Sequence, residues 1–365
     1  MKFARFLPEN GTIGFVAPSF GCSIQPYRAA FENARKKWTA MGYQLDLGPN
    51  SCEGKGIGIS NTPEACGREL MEYYLKKDND CLISCGGGEL MCEVLDYIDF
   101  PAISNAEPKW FMGYSDNTNF TFLLATLCDT ASVYGPCAAS FGSEKWHESL
   151  WDAMHLLTGK RLDLSGYPMW EKESLKSEEN PYAPYNLTEE KMLKIYHDNV
   201  YQTSCSFSGR LLGGCMDSLG NLIGTRYDKV TEFAEKYRED GIIWFMESCD
   251  LNVFDIRRTM WQMEHAGWFA HVKGFVFGRP LCYGQELMGL DTYQAVLEVA
   301  GKKGVPVIMD ADLGHLPPMM PLVVGSKATI TADLNNWKIQ MDMSQEDAGE
   351  VLKKSEPENF RDGEV

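Results

Sequence analysis

The sequence predicts an α/β protein built on a parallel sheet with helices on both faces. Three observations carry this: strand and helix patterns alternate strictly through the first third of the chain, a second organised block resumes after a stretch without pattern, and 365 residues is about twice the size of one usual domain.

Residues 12–17, TIGFVA, are apolar and end in Pro18-Ser19-Phe20-Gly21, which reads as a buried strand followed by a loop. Over residues 26–41 a helical spacing places Tyr27, Ala30, Phe31, Ala34 and Trp38 on one face, and Gly42 ends it. The alternation continues as strand 43–47, helix 63–76, strand 81–84, helix 90–97, strand 110–112 and helix 119–128. In sheets of this kind ligands bind beyond the carboxyl ends of the strands.

Between residues 159 and 207 the pattern lapses; Pro168, Pro181 and Pro184 and the isolated aromatics Trp170, Tyr182 and Tyr185 mark a connection long enough to fold over a site. The second block has strands at 241–246, 274–277 and 305–309 and a helix at 254–266. The expected organisation is a first domain over 1–160, a connection over 161–206, a smaller α/β domain over 207–343 and an exposed acidic tail over 344–365. No internal repeat is visible.

A net charge of -17 argues against non-specific nucleic-acid binding, which rests on Lys and Arg neutralising phosphates. No run of about 18 apolar residues occurs to span a membrane, and the first residues are broken by Pro8, Glu9 and Asn10, so the expected address is the cytoplasm. The twelve cysteines include no CxxC pair and read as reduced, mostly buried apolar residues; Cys81, Cys85 and Cys92 stand closest but have no nearby His, so no metal is expected.

Ser115, in Gly113-Tyr114-Ser115-Asp116-Asn117, falls at a strand-to-helix turn. Such a turn projects a hydroxyl out of the sheet, and the N–H groups opening the next helix can stabilise an oxyanion, with Asp116 lending its backbone N–H. A Ser or Asp that merely caps the helix fits the same pattern, and Asn117 replaces the last Gly of G-x-S-x-G. In Cys85-Gly86-Gly87-Gly88-Glu89 the three glycines let backbone approach a ligand; Gly87 or Gly88 would supply a second oxyanion donor, or the run is simply a tight turn. G-x-G-x-x-G is absent, which disfavours a dinucleotide site.

Glu247 follows the strand 241–246, with Asp250 as its rival. Of six histidines, only His315 stands at a strand terminus flanked by Gly and Pro. A serine nucleophile needs a base, and the base needs a carboxylate to fix its tautomer, so each role has a candidate. The order Ser, acid, His also occurs in α/β-hydrolases.

Taken together, GYSDNT around Ser115, MES at Glu247, LGH at His315, the opening GTIGFVAPS, GRLLGGCMDSLGNLIGT over 209–225 and GFVFGRP ending at Pro280 resemble the LD-carboxypeptidase family of serine peptidases over residues 11–341. The resemblance implies a Rossmann-like N-terminal domain carrying the Ser115 nucleophile and a C-terminal domain carrying Glu247 and His315, with no metal or organic cofactor and a homodimeric assembly. Two branches are relevant, murein tetrapeptide carboxypeptidases that release D-Ala and microcin C immunity peptidases that cleave peptidyl or aminoacyl nucleotides. Chain length, the insertion between domains, the GRP after Phe277 and the prolines after His315 are more similar to the second branch. Cys215 stands where the family often has Asn, and with Glu89 to Cys92 it marks positions from which substrate identity does not carry over. A non-catalytic protein that sequesters such a ligand, and an α/β-hydrolase esterase, are the other readings.

Overall fold

The computed structural model describes residues 1–344, so the acidic tail expected over 344–365 lies, apart from Ser344, outside the described residues. Two sheets organise the chain. The first has the order Leu322–Val324, Ser132–Tyr134, Trp110–Gly113, Cys81–Ser84, Thr12–Val16, Gln44–Leu47, parallel throughout except for the antiparallel Leu322–Val324. The second has nine strands, with a parallel centre formed by Val307–Ala311, Val272–Gly278, Ile242–Glu247 and Ser204–Cys215.

The burial patterns follow from these positions. Cys81–Ser84 and Ile242–Glu247 are buried at every residue because both faces of a central parallel strand are covered. Lys327–Asp333 and Trp337–Asp342, antiparallel and nearer the edge, alternate buried with exposed. Helix Tyr27–Ala40 buries Ala30, Phe31, Ala34 and Trp38, with Phe15 meeting Phe31 at 5.4 Å and Trp38 at 5.1 Å between ring centroids. Tyr27, expected on that stripe, is instead 46% exposed, because it opens the helix and packs against Phe20 beside a pocket.

The stretch 159–207 is more ordered than its composition indicates. It carries strands Asp163–Ser165, Met169–Glu171, Leu187–Glu190, Lys194–His197 and Val200–Gln202. Asp163–Ser165 pairs with Trp337–Asp342 at one edge of the second sheet, while Lys194–His197 pairs with Val307–Ala311 on one side and with the other edge strand, Val200–Gln202, on the other. The segment expected as helix over 90–97 is a 3-10 helix, Met91–Tyr97, ending before the Asp99-capped helix Phe100–Asn105. No helix among the described residues is long and apolar enough to cross a membrane.

The sheets share one apolar core. Helix Thr118–Cys128 is the joint between them: Phe122 stacks on Trp268 at 5.6 Å, and Cys215 N–H donates to Thr118 Oγ1 at 2.9 Å. A Cβ at Gly214 would sit 2.6 Å from Thr118 Cγ2, so this glycine is what lets the helix approach the strand.

A buried ionic cluster fixes the segment leading to His315. Asp312 is wholly buried and accepts from Lys191 Nζ at 3.0 Å, Arg279 at 3.1 Å, Trp337 Nε1 at 3.1 Å and Tyr167 N at 3.0 Å. Four distant segments thus converge on one carboxylate. Asp312→Ala leaves two buried cations without a counter-ion and is expected to cost about 3–5 kcal/mol, read as a lowered denaturant midpoint.

Candidate active site

Strand Trp110–Gly113 runs through Tyr114 into a single 3-10 turn, Ser115–Asn117, which opens helix Thr118–Cys128. Ser115 has φ +61°, a left-handed conformation that a side chain adopts only when its surroundings hold it there. Asn117 holds it, donating from Nδ2 to Gly86 O at 2.9 Å and Tyr114 O at 3.0 Å. Asp116 turns its carboxylate inward, accepting from Ser19 Oγ at 2.5 Å, Met91 N at 2.9 Å and Asn119 Nδ2 at 3.0 Å. Burial, only partly offset by these bonds, pushes its pKa up to about 6.

The glycine run passes directly beside the turn. A Cβ on Gly87 would lie 3.0 Å from Ser115 Cβ and 3.2 Å from its Oγ, whereas one on Gly88 would meet Ser19 and the Gly58 carbonyl. Gly87 is therefore the member of the run that borders the serine.

Glu247 ends strand Ile242–Glu247, and His315 follows strand Val307–Ala311. His315 lies with Nε2 2.9 Å from Ser115 Oγ and Nδ1 2.7 Å from Glu247 Oε2. Gly314 has φ +91°, and a Cβ there would come 2.5 Å from Glu247 Oε2, so the residue before the histidine has to be glycine for the contact to form. Asp250, the rival acid, is exposed and donates its backbone N–H to Asp217 Oδ1 at 2.8 Å. Ser115, Glu247, His315, Asp116 and Gly87 thus come together, all at carboxyl ends of strands from both sheets.

Two residues beside this group were not singled out by the sequence. Tyr134 donates its phenol proton to Glu247 Oε1 at 2.5 Å and accepts from Ser115 N–H at 3.2 Å. Cys249 stands beside His315 in the pocket wall. Tyr134 ends Ser132–Tyr134 just before Gly135, a strand-terminus position like that of Glu247, but within the run SVY it reads as a core residue.

Glu247 and His315 shift in opposite directions. Burial raises the Glu247 carboxyl, but the His315 charge and its hydrogen bonds outweigh it and hold the pKa below the ordinary 4.5. Burial lowers His315, yet the Glu247 carboxylate prevails and lifts it well above 6.5. For stability, the lowered acid contributes fully above its unfolded pKa of 4.5 and its contribution fades as pH falls. The raised base contributes fully below its unfolded pKa of 6.5 and its contribution fades as pH rises through the elevated value. The ion pair is at full strength between those two limits.

A pocket of about 330 Å³ opens onto Ser115 and His315, walled by Phe20, Tyr27, Cys137 and Cys249 and bordered by Gly87 and Glu89. Among the described residues, no set of three His, Cys, Asp or Glu side chains is placed to hold a metal ion. A half-buried hydroxyl on a strained turn, an imidazole in contact with it and a buried carboxylate behind the imidazole form an arrangement able to activate the oxygen for attack on a carbonyl.

Residues 13–135 match the LD-carboxypeptidase N-terminal domain and residues 208–330 the LD-carboxypeptidase C-terminal domain. The microcin C7 self-immunity protein MccF of Escherichia coli is 27% identical over 346 residues, covering 91% of this chain and 94% of that protein. Among solved structures, an MccF-like protein of Bacillus anthracis superposes with a TM-score of 0.78 at 22% identity, covering 94% of this chain and 100% of the other. An MccF-like protein of Streptococcus pneumoniae in complex with AMP gives 0.73 at 21%, covering 91% and 98%. With both domain matches in order along one chain, the protein belongs to the LD-carboxypeptidase family and is a serine peptidase.

Proposed function

We propose that the protein hydrolyses an amide bond through Ser115, His315 and Glu247. The observation that carries this is the unbroken contact from Ser115 Oγ to His315 Nε2 at 2.9 Å and from Nδ1 to Glu247 at 2.7 Å. His315 takes the hydroxyl proton as Oγ attacks the carbonyl carbon, and Glu247 fixes the tautomer and stabilises the imidazolium. The oxyanion is held by the backbone N–H groups of Asp116 and Gly87, with Gly88 one residue further along the same turn. The C–N bond then breaks as His315 returns the proton to the leaving nitrogen, and water activated by the same imidazole releases the acyl group.

For substrate we infer a small peptidyl- or aminoacyl-nucleotide. MccF has been solved with aspartyl sulfamoyl adenosine and with glutamyl sulfamoyl guanosine, which supports this class. So does the pocket wall: among the described residues that line it there is no Lys or Arg, and Glu89 borders it. Glu89 can meet the α-ammonium that every aminoacyl conjugate of this class carries. We further propose a cytoplasmic address, from the sequence pattern, and a homodimer, from the family resemblance.

Ser115→Ala is expected to lower kcat on the order of a thousandfold or more while leaving the melting temperature near that of wild type; a folded variant with full activity removes the mechanism. Assayed side by side, an aminoacyl sulfamoyl adenosine should be cleaved with the higher kcat/KM and a murein tetrapeptide with the lower; the reverse ranking assigns the chain to cell-wall peptides.

Because only the neutral imidazole can accept the serine proton, kcat/KM should rise with pH through an apparent pKa above 6.5. In Glu247→Gln the carboxylate that lifts His315 is gone, so the imidazole titration followed by NMR should move to lower pH. An unmoved titration contradicts the pairing.

A further inference from the structure

Tyr134 is fully buried at the end of Ser132–Tyr134, between the two halves of the site. On one side its strand pairs with the nucleophile strand, Gly113 opposite Tyr134. On the other it pairs with Leu322–Val324, the chain returning from the His315 loop, Leu322 opposite Tyr134. Its ring lies 5.5 Å from Phe245, two residues before Glu247.

The hydrogen bonds can be assigned without ambiguity. An ionised carboxylate only accepts and a backbone N–H only donates, so the single phenol proton goes to Glu247 Oε1 and a phenol lone pair receives Ser115 N–H. A closed ring results: Ser115 Oγ, His315, Glu247, Tyr134 and back to Ser115 N. The Ser115 N–H is thereby committed to the phenol and is not free to bind an oxyanion.

We propose that Tyr134 is a positioning residue of the hydrolytic site, orienting the Glu247 carboxylate toward His315 and the Ser115 turn toward both through one hydroxyl. This rests on the reading of Ser115, His315 and Glu247 as the reacting group. Burial, with the Glu247 charge adding to it, pushes the phenol well above its ordinary value, so it remains a donor wherever the enzyme works. The groups facing Glu247 are His315, Tyr134, the Cys215 thiol and, at longer range, Tyr114 and Cys249; those facing His315 are Glu247, Cys249, Ser115, the Tyr114 ring at 5.1 Å and, at longer range, Glu89. Withdrawing the phenol proton leaves more negative charge on Glu247 for His315, so the imidazolium is held more tightly.

The test is Tyr134→Phe, which keeps the ring and deletes the hydroxyl. The expected result is a fall in kcat on the order of ten- to a hundredfold with KM nearly unchanged, the cost of one hydrogen bond to a charged group. The acid limb of kcat/KM should also move to higher pH, opposite in direction to the Glu247→Gln shift. Wild-type kcat and an unmoved limb overturn the proposal, as does a variant that is merely less heat-stable with both quantities unchanged per folded enzyme. Ser115→Ala is assayed alongside: if it stays active the triad reading fails, whereas an inactive Ser115→Ala beside a fully normal Tyr134→Phe sinks only the role of Tyr134. Should the phenylalanine variant not fold, 3-fluorotyrosine at 134, a stronger donor of nearly the same size, should move the limb to lower pH; no movement overturns the proposal.

Discussion

Glu247 sits between the two sheets with none of its side chain exposed, and an ionised carboxylate there is costly unless every lone pair that faces protein is used. Its partners come from both halves of the molecule: His315 from the loop that follows a strand of the second sheet, Tyr134 from the first. The same contacts that keep the charge tolerable therefore lock the sheets in one relative position. Neither half holds the whole group alone, because the Ser115 hydroxyl lies on one and His315 with Glu247 on the other.

The remaining features of the site serve that convergence. Glycine appears where a side chain would keep the parts apart: Gly87 beside the serine, Gly214 under the joining helix and Gly314 against the carboxylate. Ser115 bears a left-handed backbone because the Asn117 amide and the inward Asp116 carboxylate leave the turn no other course. Behind His315, the Asp312 cluster ties the base-bearing loop to the connecting segment and to the edge of the second sheet. Rigidity at the site is drawn from several weak and a few strong anchors spread over the chain.

How much of this was legible before the structure differed by feature for physical reasons. The alternation over residues 12–128 was readable because central parallel strands are continuous apolar runs and their helices keep a 3.6-residue stripe, as Phe31, Ala34 and Trp38 do. Ser115, Glu247 and His315 were legible as polar residues at strand ends, and together they carried a family resemblance that the domain matches bear out. The strands between 159 and 207 were not, since runs of three or four mixed residues such as Asp163–Ser165 gain their shape from partners as distant as Lys338–Gln340. Tyr134 escaped because a tyrosine in SVY reads as core, and only the folded chain shows its hydroxyl meeting a carboxylate 113 residues away.

The central claim is that the amide carbonyl is transferred to Ser115 before water takes it. Rapid acid quench of the enzyme turning over an aminoacyl sulfamoyl adenosine, followed by peptide mass spectrometry, reads this directly. The expected result is an added aminoacyl mass on the peptide that contains Ser115, appearing within the first turnover. An adduct on Cys137 or Cys249 in the pocket wall instead, or undiminished hydrolysis by folded Ser115→Ala, would contradict it.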